Sequence, residues 1–473
     1  MVGAFIALAV TLFAGCGALS HSDRTAPVDG GVALRRALRL VPVPVDERGS
    51  QRHSWLQHFY QRRGGQPAWT GVRGVRARAD ELLDELDDTA AHGLDPEAYG
   101  RTELHAAVAR LRARPNDFDP ESAAAVDIGL TAAFLACADD LRRGAVDPAS
   151  ITVSWQVRRP ATDLSGLLAT AISLDQVGVN LRRLAPSGLE YRRLQQALAG
   201  LTAGARAADG LRANLERWRW LPRDLGSRYL LVRIADFELD YVVDGARQTH
   251  RVIVGEPYRQ TPQFASEVTH VVVHPSWHVP SRISDEELAA GPIGAERSSS
   301  LTQQGFEAWT HGGLRVHLDS LDWNRAAGFS SRYRLVQRPG GSNPLGRIKL
   351  DLVNPFAIYL HDTPGSTLFT RADRDLSHGC VRVEGIVELV RQLLESSPGR
   401  RRRFDRLLAA GGTGRVYLPE PLPAYILYRT VSVTPSGEIR FTEDLYDVDA
   451  RLLRELNQAT GARHWVHAQL RGS

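Results

Sequence analysis

The sequence of 473 residues is poor in two residue types whose abundance would suggest particular classes of protein. Its three cysteines, Cys16, Cys137 and Cys380, lie far apart without a Cys-X-X-Cys pair, so a disulfide framework is not expected. Lys349 is the single lysine, and the other basic residues are arginines. The formal net charge is only +4, and the densest basic run, residues 400–403, is interpreted as a solvated helix start. A nucleic-acid partner is therefore not expected.

The length exceeds what one hydrophobic core ordinarily supports and favours two or three domains. With 43% hydrophobic and 24% charged residues, most of the chain should be globular and soluble. Cys137 ends the apolar stretch 130–137, which has the character of the buried face of a helix. We therefore expect Cys137 to be a small core residue.

The N-terminus predicts export from the cytoplasm. Residues 1–16 form an apolar run as long as a signal-peptide core but too short to span a bilayer. The end of this run, residues 13–16, resembles a lipoprotein cleavage site, which makes Cys16 a candidate for lipidation. We expect a periplasmic, cell-envelope location, either as a membrane-anchored lipoprotein or as a freely diffusing enzyme. Contact with the membrane is expected only through this segment.

The remaining chain divides into a helical and a β-rich part. Residues 17–45 are predicted to be a flexible tether, and residues 46–217, with apolar residues three and four apart, an α-helical scaffold domain. In residues 218–455 apolar and polar residues alternate as they do in β-strands, and Asp244 with Gly245 predicts a hairpin turn. A stretch rich in Gly, Ser and Pro, at about 277–346, interrupts this β-rich part. Residues 456–473 form a C-terminal tail. The fold class predicted is α+β with several domains.

The residues most suggestive of chemistry are Cys380 and two nearby histidines, His361 and His378. A cysteine attacks as the thiolate and needs a base or a cation beside it. His361 ends an apolar stretch from which its ring could face a neighbouring segment, and Gly379 frees the backbone next to the sulfur. A substrate carbonyl could then approach a backbone N–H group.

Two other interpretations of these residues stay open at this point. Cys380 could be a buried structural thiol, with both histidines satisfied in loops. Alternatively His361, His378 and Cys380 could bind zinc, for which sites with three protein ligands exist. A second histidine set, at positions 270, 274 and 278, has a spacing that would suit a metal on a helix. The valines and the proline among them predict a strand and a turn instead, and we reject that metal site.

Residues 359–364 and 377–382, with fifteen residues between His361 and Ser377, resemble the YkuD-type catalytic domain of L,D-transpeptidases. Residues 215–222, 343–346 and 416–419 are similar to the large YcbB-type branch of that family. The resemblance extends from about residue 50 to 450. It implies a helical scaffold followed by a β-rich catalytic domain, with a capping subdomain over the active site in the interruption at about 277–346.

The resemblance also implies a role for each residue of the motif. Cys380 would be the nucleophile and His361 its base. His378 and the backbone near Gly379 and Cys380 would hold the oxyanion. The remaining candidates for oxyanion or substrate binding are Ser377, Arg382 and Tyr359. The partners implied are peptidoglycan tetrapeptide stems, one as acyl donor and one as acceptor, joined in a 3-3 cross-link between two diaminopimelates, and no cofactor is needed.

Two departures from the family pattern are visible. The stretch 187–215 is too short for the peptidoglycan-binding module that this branch usually carries, and His274 stands where relatives are expected to have asparagine. Two other functions remain alternatives: an L,D-carboxypeptidase or amidase-type hydrolase, in which water replaces the acceptor amine, and a non-catalytic envelope scaffold. The shape of the acceptor site decides between transfer and hydrolysis.

Overall fold

A computed structural model describes residues 28–71, 74–113, 119–152, 154–157, 162–201, 206–288, 295–323, 328–434 and 436–459, together with 461, 463, 466 and 470. The predicted signal segment, the lipidation candidate Cys16 and most of the predicted C-terminal tail lie outside these residues.

The N-terminal half is helical, as predicted. Its helices are α1 (Val28–Leu40), α2 (Glu47–Arg62), α3 (Arg78–Asp87), α4 (Arg101–Ala113), α5 (Pro120–Arg143), α6 (Pro148–Ile151), α7 (Leu164–Leu174), α8 (Val177–Arg182), α9 (Leu189–Ala199) and α10 (Arg206–Arg219). Two strands of two residues each, β1 (Thr70–Gly71) and β2 (Gly74–Val75), pair with each other after α2. Helix α5 is the centre: residues 123–141 are all buried, Cys137 among them. It is the one helix in the described part of the chain long and apolar enough to cross a bilayer, and 89% of its apolar window is buried in the fold.

The predicted tether over residues 17–45 is wrong from Val28 onward. Residues 28–40 form α1, which packs on α5 through Leu34 and Leu38. Their spacing of four residues places both side chains on one helix face, so burying them offsets the cost of ordering the segment.

The junction between the halves is a buried polar cluster rather than a free linker. Glu216 and Arg219 of α10 are fully buried and paired with each other, and Glu216 also accepts hydrogen bonds from the Trp220 indole (3.0 Å) and the Val146 backbone N–H (2.9 Å). A buried carboxylate is stable only when it is paired in this way. The C-terminal helix α16 (Val448–Gln458) returns to this junction, where Asp449 pairs with Arg217 at 2.5 Å.

The C-terminal half is a mixed sheet with a helix pair. Its large-sheet strands are β3 (Arg228–Arg233), β4 (Glu238–Val243), β5 (Ala246–Gly255), β6 (Phe264–Val273), β11 (Ile348–Leu352), β12 (Tyr359–His361), β13 (Asp375–Ser377), β14 (Val381–Val383) and β15 (Gly414–Leu427), in the order β13-β5-β14-β12-β11-β6-β15-β3-β4. A further pairing of β4 with β5 closes this sheet on itself. Helices α14 (Ile386–Leu393) and α15 (Pro398–Ala410) follow β14, and β16 (Val431–Val433) pairs with β17 (Ile439–Phe441) after β15.

Local sequence explains the hairpin and the start of β12. Asp244 and Gly245 both have positive φ (48° and 84°), as a two-residue hairpin turn requires. Strand β12 begins only at Tyr359, because the Oδ1 atom of Asn354 accepts hydrogen bonds from the backbone N–H groups of Phe356 (3.0 Å) and Ile358 (3.1 Å). Those two N–H groups are thereby unavailable to a neighbouring strand.

The interruption between β6 and β11 folds into a separate small layer. Strands β7 (Trp277–His278), β8 (Phe306–Thr310), β9 (Arg315–Val316) and β10 (Tyr333–Gln337) form a sheet in the order β7-β10-β8-β9, with α11 (Ser281–Ile283), a π-helical turn (Ser284–Leu288), α12 (Ala295–Gln303) and α13 (Phe329–Arg332). Its core is its own and includes Trp323 stacked on Phe329 at 5.2 Å. Buried Asn343 joins the two chain segments that connect this layer to the large sheet. Its side-chain amide donates to the carbonyls of Pro275 (3.0 Å) and Arg338 (3.2 Å).

Candidate active site

The two motif segments become neighbouring parallel strands. β12 pairs with β14, with Leu360 opposite Val381 and His361 opposite Arg382. In a parallel pair, opposed residues point to the same side, and alternate residues of a strand share that side. Tyr359, His361, Cys380 and Arg382 therefore share one face of the sheet, although the two segments are separated in sequence.

The turn that carries Cys380 is held by Ser377. The buried Ser377 hydroxyl donates to the Cys380 carbonyl (2.6 Å) and accepts the Gly379 backbone N–H (3.1 Å). Gly379 has φ +110°, a conformation that glycine adopts without strain. The backbone N–H of Gly379 was predicted to hold an oxyanion. This role stays a prediction, because in this structure the N–H group donates to Ser377.

A second brace reaches the turn from the segment between β5 and β6. The Thr261 hydroxyl donates to the Gly379 carbonyl (2.8 Å) and accepts the Gly255 N–H (2.9 Å). The Tyr446 hydroxyl donates to the Gly255 carbonyl (2.7 Å). Sequence reasoning missed Thr261 and Tyr446 because neither belongs to a motif; only the fold brings them to residue 379.

Gly255 leaves no room for a side chain, and we expect Gly255→Ala to disturb the site. A Cβ at this position would lie 2.1 Å from the Arg259 carbonyl oxygen and 2.7 Å from the Thr261 nitrogen, so backbone would have to move. We expect a loss of about 2 kcal/mol or more in urea unfolding, together with reduced turnover. Gly340→Ala is the matched control, because nothing lies within 4 Å of its added Cβ. Equal stability of the two variants would contradict this account of the brace.

The Cys380 thiol is half-buried and protonated in its resting surroundings. Its Sγ lies 3.8 Å from the Ala357 carbonyl oxygen, and Ala357 has a strained φ of 54°. Burial raises the pKa of Cys380, while hydrogen bonds from Tyr359 and the charges of Lys349 and Arg382 act in the opposite direction. The thiol thus needs a base during the reaction.

His361 is suited to be that base. The ring is buried, with 4% of the residue exposed, and Nδ1 donates to the Asp362 carbonyl at 2.6 Å. Burial, with the nearby Arg382 charge, lowers the pKa of His361 to about 3, so the imidazole is neutral at pH 7. The ring also interacts with the Pro344 backbone. When Nδ1 carries the proton, Nε2 is the nitrogen of the neutral ring that can accept another.

The structure brings His361 and Cys380 to one face, but it does not show a hydrogen bond between them. Among the described residues, the His361 ring interacts with backbone groups, and the Cys380 thiol interacts with Ala357 and Tyr359. Catalytic hydrogen bonds often tighten only when substrate binds. Proton transfer from the thiol to His361 therefore requires the two side chains to approach each other when substrate binds.

Tyr359 lies between Cys380 and the small layer. Its phenol is close enough to Cys380 and to Trp277 of β7 for each to affect its ionisation, and burial raises the pKa of Tyr359. A protonated phenol can donate a hydrogen bond to a thiolate or to a developing oxyanion. Tyr359 is thus placed for the role in oxyanion or substrate binding that the motif predicts.

His378 points to the small layer rather than to the sulfur. Its Nε2 contacts the Glu287 carboxylate of the π-helical turn, and Arg259 pairs with the same carboxylate at 2.6 Å. Burial opposes ionisation of Glu287, but the hydrogen bonds from His378 and Arg259 prevail and lower its pKa. The predicted oxyanion role of His378 stays a prediction. Sequence reasoning missed the contact because Glu287 lies 91 residues earlier in the chain.

Arg382 is a second cation near Cys380, besides Lys349. Its Nε is buried and has no hydrogen-bond partner among the described residues. Burial lowers the pKa of Arg382, although it remains charged at neutral pH. A guanidinium with an unpartnered Nε beside Cys380 can bind a carboxylate.

The three histidines at 270, 274 and 278 lie on a strand and turn, as expected. β6 ends at Val273, and His274 has φ 45°. The ring of His274 meets the Leu408 carbonyl (3.0 Å), whereas His270 faces Asp351 (3.1 Å). Within the described ranges, no group of three or more His, Cys, Asp or Glu residues could hold a metal ion.

Comparisons with known proteins agree with this architecture. Residues 54–198 match the model of a Scaffold domain, and residues 227–401 match that of an L,D-transpeptidase catalytic domain. A Haemophilus influenzae protein named "Putative L,D-transpeptidase" is 28% identical over 407 residues, which cover 85% of this chain and 80% of the relative.

Proposed function

The chain belongs to the L,D-transpeptidase family with a scaffold and a YkuD catalytic domain, and from this premise we propose that it forms 3-3 cross-links in peptidoglycan through an acyl-enzyme on Cys380. The observation that carries the proposal is the shared face of β12 and β14, which presents together a thiol, a neutral imidazole and a guanidinium whose Nε has no partner among the described residues. Each group supplies a different requirement of acyl transfer.

The first half of the reaction forms a thioester. The Cys380 sulfur attacks the carbonyl between meso-diaminopimelate and the terminal D-alanine of a tetrapeptide stem, while Nε2 of His361 accepts the thiol proton. Collapse of the tetrahedral intermediate breaks the peptide bond, and the D-alanine amine leaves with the proton from His361. In this proposal the protonated phenol of Tyr359 donates a hydrogen bond to the oxyanion, and the raised pKa of Tyr359 supports that role.

The second half transfers the acyl group. The side-chain amine of a second diaminopimelate attacks the thioester carbonyl and loses a proton to His361. The C–S bond then breaks, the proton returns to the sulfur, and the 3-3 cross-linked product is released. Arg382 would bind a carboxylate of the stem, because its Nε has no partner among the described residues.

We propose that the small layer, at residues 277–337, acts as the capping subdomain. It contacts the motif at two points: Trp277 with Tyr359, and Glu287 with His378. A cover at these points would exclude water from the thioester and favour an amine as the acceptor.

The experiment that tests the proposal is incubation of the pure protein with disaccharide-tetrapeptide and separation of the products. Cross-linked dimers that retain one D-alanine support transfer. Tripeptides alone would replace the proposal with hydrolysis, and no product from a folded protein would contradict enzymatic activity. EDTA is expected to change nothing, and loss of activity that zinc restores would contradict the thiol mechanism.

Lipidation of Cys16 is a separate proposal about location. If Cys16 carries the lipid, the residues from Gly17 to the start of α1 would connect the membrane to the folded scaffold, and this connection would raise the local substrate concentration. We expect a palmitate analogue to label the wild-type protein but not Cys16→Ser. An unlabelled wild type in the soluble periplasmic fraction would contradict lipidation and leave the enzyme proposal untouched.

A further inference from the structure

The single lysine of the chain lies at the candidate active site. All 57 other basic residues are arginines. In the pairing of β11 with β12, Lys349 is opposite His361 and Asp351 is opposite Tyr359. Opposed residues share a side of the sheet, so Lys349 and Asp351 point to the face that carries Cys380.

Lys349 is held there by two contacts. Its Nζ lies 2.6 Å from Asp351 Oδ1 and 4.5 Å from the centroid of the Tyr359 ring. The side chain is 23% exposed, so solvent screens its charge only in part. Because β12 lies between β11 and β14, Tyr359 stands between Lys349 and Cys380 on this face, and the phenol and the thiol affect each other's ionisation.

A cation suits this position. The Lys349 ammonium is a compact charge that lies over one ring while one carboxylate oxygen holds it, and a guanidinium could stack on the same ring and bind the same carboxylate. A cation on the ring face also makes the phenol a stronger hydrogen-bond donor, because it withdraws electron density from the ring. The thiolate is the acceptor that gains from this.

We propose that Lys349 is a positioning residue for the nucleophile: its ammonium, held by Asp351 over the Tyr359 ring, favours the Cys380 thiolate, and Asp351 moderates this effect. The inference rests on the proposed function only in one respect, namely that the effect of Lys349 matters to turnover. Its direct consequence is a change in the ionisation of the Cys380 thiol. The positive charges of Lys349 and Arg382 both oppose the burial that raises the pKa of Cys380.

The other titratable groups facing the thiol limit which variants are informative. His361 on β12 and Arg382 on β14 belong to the proposed machinery, and replacing either would change the thiol directly. His270 on β6 lies 3.1 Å from Asp351 and would be affected by the removal of that carboxylate. Lys349 and Asp351 can be replaced while Cys380, Tyr359 and His361 are retained, although the Lys349 charge also acts on His361.

Two variants should shift the thiol in opposite directions. Lys349→Met keeps the length of the stem but removes the charge, so the pKa of Cys380 should rise. Asp351→Asn removes the negative charge and leaves Lys349 unpaired, so the pKa should fall. A shift of about half a unit to one unit corresponds to a roughly three- to tenfold change in alkylation rate at a fixed pH below the pKa.

The measurement is the rate at which iodoacetamide alkylates Cys380 in the full chain as a function of pH, followed by the mass of the peptide that contains this residue. Lys349→Arg keeps the charge and is expected to stay near the wild type. Thermal melting of each variant establishes that it is folded. This readout needs no peptidoglycan, so it stays valid even if the dimer assay fails.

Opposite shifts in the two variants, with Lys349→Arg near the wild type, would support the proposal. Loss of packing alone cannot produce them, because it would not give opposite signs. An unchanged pKa in folded Lys349→Met, shifts of the same sign in Lys349→Met and Asp351→Asn, or an equal shift in Lys349→Arg would each overturn it.

Discussion

Replacing Cys380 with alanine should abolish acyl transfer, with turnover of disaccharide-tetrapeptide falling by at least about 1000-fold while the fold persists. The expectation follows from the position of the residue: it precedes β14, on the face that also carries His361 and Arg382. Ser377 holds its carbonyl and Thr261 holds the carbonyl of the preceding Gly379, and neither bond uses the sulfur. Removing the thiol therefore takes away the nucleophile and little structure.

Cys137→Ala is the matched control for this experiment. Cys137 is fully buried in α5, and burial raises its pKa far above the ordinary range of a thiol. An inert core thiol should be replaceable with full activity, at a cost of about 1 kcal/mol in unfolding free energy for the small cavity. More than a trace of turnover in Cys380→Ala, or abolished turnover in folded Cys137→Ala, would show that the nucleophile is wrongly assigned.

Replacing His361 with glutamine should reduce the acylation rate by roughly 100- to 10,000-fold, the usual contribution of a general base. Glutamine can retain a bond to the Asp362 carbonyl but cannot accept the thiol proton. The matched control is His92→Gln in the scaffold, since the pKa of His92 is likewise lowered to about 3, mainly by burial. The control should keep its activity, measured as the single-turnover rate of D-alanine release.

The same variant makes a prediction about stability and pH. The folded-state pKa of His361, about 3, lies below its usual value of 6.5. Between these values the unfolded chain binds more protons, so the stability contributed by the neutral ring is lost as the pH falls from about 6.5 toward 3. His361→Gln should therefore lose less unfolding free energy than the wild type between pH 7 and pH 4. An equal loss would contradict a buried, neutral His361.

The fold was predictable where local chemistry decides it. Apolar spacing indicated the helices of the scaffold, and Asp244 with Gly245 indicated a hairpin whose turn has the positive φ angles expected. The family and the order of the two domains were also predictable, because residues 359–364 and 377–382 form a specific motif. Helix α1 was missed because the residues before Leu34 are small and polar, so the apolar face of the helix is short in the sequence. That face is buried only because α5 packs against it.

The candidate site was predictable only as a set of motif residues. Their arrangement depends on strand register, which sequence spacing does not reveal: Lys349 meets Tyr359 through β11, and Thr261 reaches Gly379 from the segment after β5. The contact of His378 with Glu287 joins two layers that fold separately. Asn354 and Asn343, which hold the loops around the site, resemble ordinary turn residues in the sequence.

The most direct test of the central claim is the intact mass of the full chain during reaction with a tetrapeptide donor whose diaminopimelate side-chain amine is acetylated, so that no acceptor is present. The account predicts a covalent adduct equal to the donor less D-alanine, located on the peptide that contains Cys380 and lost when a diaminopimelate amine is added and dimer forms. An adduct on another residue, the same adduct in Cys380→Ala, or dimer formed by wild type with no adduct under rapid quench would contradict it.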